Sequence, residues 1–122
     1  MERLTATLTT DASGDATEYI EPNQSGFIRA IRYVKTDYAN GIDLTITGET
    51  SGISILAVTD MNASATYVPQ APTHDLSAAA ENYNDESDEA VNAPIPICDE
   101  RIKIVVANGG DTKAGTFHIW VG

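Results

Sequence analysis

A chain of 122 residues with 18 acids, 7 bases and a net charge of -11 has the length of one domain, which excludes a catalytic domain with a separate lid. That charge repels polyanions, so neither nucleic acid nor an anionic membrane surface is an expected partner. Cys98 is the single cysteine and makes no intrachain bridge, no apolar run reaches the length of a spanning helix, and no leader pattern opens the chain. One soluble domain over residues 1–122, made in a cytoplasm, is the expectation.

Ile, Val and Thr supply 33 residues against 5 Leu, a mixture that favours strands. In chain order, the opening run puts Leu4, Ala6 and Leu8 on one face and Thr5, Thr7 and Thr9 on the other. The DASGD segment (11–15) reads as a turn, and residues 16–21 as a return strand ended by Pro22. In FIRAIRYVK the alternation breaks phase, which predicts a bulge or a strand covered on both sides. Beyond the YANG turn, Ile42, Leu44 and Ile46 share an inward face. The more continuously apolar Ile53 to Val58 reads as a central strand. A short strand is expected near Thr66 to Val68, and an edge or irregular strand at Val91 to Ile97, where Pro94 and Pro96 lie. RIKIVVA, NGGDTKAG and TFHIWVG make the best hairpin candidate.

The sum is an all-β fold, an antiparallel β-sandwich of jelly-roll type with about eight to nine short strands. Residues 69–90 carry no strand pattern and form one long acidic loop. Within it, Asp75 is placed to cap one or two helical turns through LSAAAENY, and NDESDE is a solvated charge run.

Charge is unevenly distributed: residues 36–100 hold 12 acids and no base, so the excess sits in the middle of the chain. A catalytic centre is not expected. His74 lies in the loop, His118 lies in the last strand, and the acids after Cys98 disfavour a thiolate. DASGD lacks the Glu that a calcium loop needs, GGDTKAG lacks the Gly-Lys-Ser/Thr end of a phosphate loop, and no zinc pattern exists. No cofactor and no metal are expected. If Phe117, Ile119 and Val121 face the core, Trp120 and His118 share the outer face, as an intramolecular cover site, a subunit contact or a sugar platform.

Three stretches, TTDASGDATEY (9–19), GFIRAIRYVKTDYANGIDLTITGE (26–49) and RIKIVVANGGDTKAGTFHIWVG (101–122), together resemble the jelly-roll decoration, or cement, proteins of tailed-bacteriophage heads. About half the chain carries the resemblance. It implies a non-enzymatic virion protein on the outer surface of the capsid, binding the major capsid protein and itself, with a homodimer favoured over a homotrimer. The contact candidates are then Trp120, His118, Arg101 and Lys103, with Asp75 and Tyr83 in the long loop as a second contact. A head-tail joining or fibre-base component is the alternative within this class, and a carbohydrate-binding module lies outside it.

Overall fold

The structure is a computed structural model that describes residues 1–84 and 89–122. Among the described residues it holds eight strands and no helix, so the chain is all-β. The strands form an antiparallel sheet in the order β1-β8-β2-β7-β3-β4, with β5 added to β2 and β6 to β7.

Strand β1 (Glu2–Thr9) follows the predicted alternation, burying Leu4, Ala6 and Leu8. It pairs with β8 (Ala114–Val121) from Glu2↔Val121 to Thr9↔Ala114 without a register shift. The two strands expected before and after Pro22 are one 19-residue strand, β2 (Ala16–Val34). Its ladder breaks between Ile20 and Gln24, which accommodates Pro22 where no sheet N–H is required. A second break falls between Ile28 and Ala30. Of the two alternatives that the FIRAIRYVK alternation offers, this is the bulge, and it lets Ile28, Ile31 and Tyr33 all reach the core.

Fusion occurs again near the C-terminal end, where the proline-bearing strand and RIKIVVA are one strand, β7 (Asn92–Ala107). Pro94 pairs only with β6 (Gln70–Pro72) and Pro96 only with β2, so this stretch keeps an edge character. Farther on, β7 runs between β2 and β3 (Ile42–Gly48), and Ile102, Ile104 and Val106 are completely buried opposite Gly48, Ile46 and Leu44 in turn. The early stretch of β2 pairs with β7 and its late stretch with β8, so β2 links the two parts of the sheet around one core.

Three expectations are corrected. The terminal hairpin does not form: β7 lies between β2 and β3, β8 lies between β1 and β2, and neither strand has an edge left for the other. Their connection is tied instead to two other turns, with Gly109 N–H donating to Gly14 O (2.8 Å) and Ala39 N–H to Gly109 O (3.0 Å). The Ile53 to Val58 run belongs to β4 (Ser54–Met61), which is an edge strand rather than a central one. It reads as continuously apolar because Leu56 and Val58, opposite Ile46 and Leu44, pack against the core, and the register shift between them and Ser54 lets the adjacent Ile55 be buried as well.

The third correction concerns the long loop, whose described residues form a hydrogen-bonded arm rather than a patternless segment. β5 (Ala65–Tyr67) leads to β6, after which Thr73 N–H donates to Val91 O (2.9 Å), Glu81 N–H to Thr73 O (3.0 Å) and Val91 N–H to Glu81 O (2.9 Å). No helix forms at LSAAAENY. Asp75 Oδ1 accepts from Ser77 N–H (2.8 Å) and Ala79 N–H (3.0 Å), closing a turn with Ala78 at a positive φ of 63°. Cross-strand pairing through residues 73, 81 and 91 overrides the helix propensity of the alanines. Residues 85–88 of the NDESDE run lie outside the described residues.

Candidate functional site

The outer face of the β1-β8-β2 part is built from residues that the alternation turns away from the core. Cross-strand register sets Trp120 between Arg3 and Ala30, and His118 between Thr5 and Arg32. The Trp120 and His118 rings lie 6.2 Å apart at a 40° tilt, and both residues are half-buried. Thr5 Oγ1 and His118 Nδ1 share a hydrogen bond of 3.1 Å, and Arg32 donates to Thr66 Oγ1 on β5 (3.1 Å). The face combines an aromatic ring, two guanidinium groups and threonine hydroxyls.

Arg101 and Lys103 occupy a different surface, on the outer side of β7, which does not neighbour β8. The Arg101 guanidinium lies 4.7 Å from the Tyr19 ring centroid and the Lys103 ammonium 5.8 Å from it. Arg101 is also ion-paired with Glu21 (2.9 Å) and Glu49. The Glu49 carboxylate raises the Arg101 pKa above its usual range, and Arg101 in turn holds Glu49 below the usual carboxylate range. Arg101 is thus committed within its own sheet, a pairing that strand alternation alone does not reveal.

Asp75 and Tyr83 sit on the arm, well away in topology from both surfaces. The Asp75 carboxylate is used in its turn, whereas Tyr83 is 69% exposed. Leu76, which sequence reasoning passed over, is fully exposed at the same turn, and Val68 is exposed at the arm's base. The signal available was a leucine set between Asp75 and Ser77, where a turn residue has no core to reach. The candidate contacts therefore fall into three groups, not the two expected, because Arg101 and Lys103 part from Trp120 and His118.

One further feature was invisible in the sequence. The β1 and β2 strands leave the DASGD turn as a hairpin would, then diverge to different partners, β8 and β7. Between them lies an open groove of about 460 Å³ lined by Thr5, Ala6, Thr7, Glu18, Tyr19, Ile20 and Glu21.

No family model and no curated protein match this sequence. Among the described residues, no three His, Cys, Asp or Glu side chains gather in a metal-holding group. His74 stands exposed on the arm and Cys98 is an exposed free thiol on β7.

Proposed function

We propose that the protein is a non-enzymatic structural component of a bacteriophage virion, a decoration protein of jelly-roll type that binds the outer surface of the head. The observation that carries the reading is the arm: an acidic extension that displays Leu76 and Tyr83 to solvent and, among its described residues beyond Ala71, adds no side chain to the core. Apolar side chains held out on a hydrogen-bonded arm gain stability only when a partner covers them. The resemblance of residues 9–19, 26–49 and 101–122 to head decoration proteins names that partner as the major capsid protein.

In this reading the protein also binds itself, as a homodimer, through the Trp120 and His118 face. Closed symmetry then repeats each modest contact over the shell, and avidity multiplies it. A surplus of acids suits the outside of a DNA-filled shell, since the packaged polyanion repels it from the interior.

The test is co-sedimentation of purified protein with expanded capsids of the encoding phage, followed by capsid melting. Binding together with a raised capsid melting temperature is the expected result, and failure to co-sediment would overturn the proposal. Imaging of intact virions separates the decoration role from a head-tail joining or fibre-base role, because the first distributes copies over the shell and the second confines them to the tail axis.

A further inference from the structure

We infer that the groove between β1 and the first stretch of β2 receives an extended strand from a partner protein, one that carries a basic residue flanked on the same face by apolar ones.

β1 and β4 are the two end strands of the sheet order. A strand edge presents unpaired N–H and C=O groups, and proteins blunt such edges with bulges, prolines or charges. The β4 edge is blunted, since its ladder with β3 shifts register twice and Asp60 stands at a positive φ of 55°. The β1 edge is not. Its eight residues contain neither Pro nor Gly, its ladder with β8 is unbroken, and its charges are confined to Glu2 and Arg3 at one end. Across the groove, Ala16 to Ile20 of β2 pair with β7 alone. Two regular strand edges thus face one open space, each with backbone groups on offer.

Glu18 decides what fits. In an antiparallel ladder, directly opposed residues share a face. Glu18 opposes Ile104, which is completely buried, so its carboxylate stands on the core-facing side of β2, two residues before buried Ile20. It is nevertheless exposed, because the groove opens there, and it has no hydrogen bond or ion pair among the described residues. A strand that enters with an apolar or acidic residue at that point buries a carboxylate without a counter-charge; one that brings Lys or Arg pairs it. On either side of Glu18, Ile20 and the small Ala6 leave room for apolar side chains. Glu21 on the outer rim is already held by Arg101, which leaves Glu18 as the group that selects the cation.

The experiment is an NMR titration of the whole chain with the peptide acetyl-Val-Thr-Lys-Thr-Val-amide. Shifts confined to the amides of Thr5 to Thr7 and Thr17 to Ile20 are expected, with binding weakened about tenfold or more when the peptide's Lys is replaced by Glu. The variant Glu18→Lys should reverse that preference, and Glu18→Gln should abolish it while leaving the melting temperature of the free protein close to wild type. N-methylation of alternate peptide bonds should eliminate binding, because it removes the ladder while keeping the charge. Equal binding of the methylated peptide, or no shift at the groove amides, would overturn the inference. So would a free protein that already dimerises with its β1 amides protected, since a second copy would then own the edge. No capsid enters this assay, so its outcome is separate from the decoration reading.

Discussion

Tyr33 and Tyr38 show how two chemically identical buried side chains act in opposite directions. Both stack in the core, Tyr33 against Phe117 at 5.3 Å and against Tyr38 at 6.3 Å. The Tyr38 hydroxyl donates to Leu8 O (2.6 Å), whereas the Tyr33 hydroxyl is buried without a partner among the described residues. An unpaired buried hydroxyl costs its desolvation, and a paired one contributes about 1 kcal/mol. Tyr38→Phe should therefore lower the urea unfolding free energy by about 1 kcal/mol, and Tyr33→Phe should leave it unchanged or raise it. Burial pushes both phenols from 10.0 up to about 12. The folded state holds these protons more tightly, so their contribution is intact below pH 10 and is lost as pH rises toward 12. In a variant with Tyr19, Tyr67 and Tyr83 changed to Phe, tyrosinate absorbance should accordingly appear together with loss of far-ultraviolet circular dichroism.

Glu100 is the corresponding case at acid pH. Its buried carboxylate accepts from Thr50 N–H (2.8 Å), Ser51 N–H (2.9 Å) and Ser51 Oγ (3.1 Å), which ties β7 to the turn between β3 and β4. These donors, with the Ser51 amide foremost, hold its pKa below the usual carboxylate range. The stabilisation is complete above the ordinary carboxylate pKa and is lost as pH falls through the lower folded one. Glu100→Gln should melt below wild type at neutral pH, and the two melting curves should converge in acid.

At the level of elements, the close contact between β8 and the loop after β2 gives a sharp test. A Cβ on Gly115 would stand 2.2 Å from a Tyr38 ring carbon, inside any allowed contact. Gly115→Ala must displace the stacked ring and should cost about 1–3 kcal/mol in chemical unfolding. The arm behaves differently. Thr73 and Val91 are already hydrogen-bonded, so replacing residues 74–90 with a two-glycine link should leave the melting temperature nearly unchanged while removing capsid binding in co-sedimentation. Period-2 alternation made β1 and β3 legible, because each buries one face only. Its break of phase in FIRAIRYVK left a bulge and a doubly covered strand open, and the ladder shift between Ile28 and Ala30 is the bulge. It did not reveal pairing: RIKIVVA and TFHIWVG look like hairpin partners because both alternate well, yet each already has two other neighbours. Pro22 read as a strand end because a local rule cannot anticipate a long strand that skips pairs around a proline.

For the whole molecule, the candidate contacts were legible as residue types but not as places. The sequence marks Trp120 and His118 as outward-facing, and the structure sets them side by side; it also puts Arg101 and Lys103 on another surface and engages Arg101 internally. The β1–β2 groove depends on which strands pair, which alternation does not encode. Charge segregation adds a prediction at this scale. Capsid binding through the acidic arm should weaken severalfold when ionic strength rises from about 0.05 to 0.5 M, whereas self-association through the Trp120 face should change little. Sedimentation at both salt concentrations separates the two contacts.

The pairing of β1 with β8 also governs how the fold is reached. Thr5 and His118, joined by a hydrogen bond, are 113 residues apart in sequence. While the ribosome is at work, β1 has no ladder partner until the last strand of this fold has emerged, and Leu4, Ala6 and Leu8 have no neighbour on that side. Closure must come late and all at once. Refolding should be slow for the chain's size, in the millisecond-to-second range of non-local β topologies, and nascent chains arrested before β8 should remain protease-sensitive throughout.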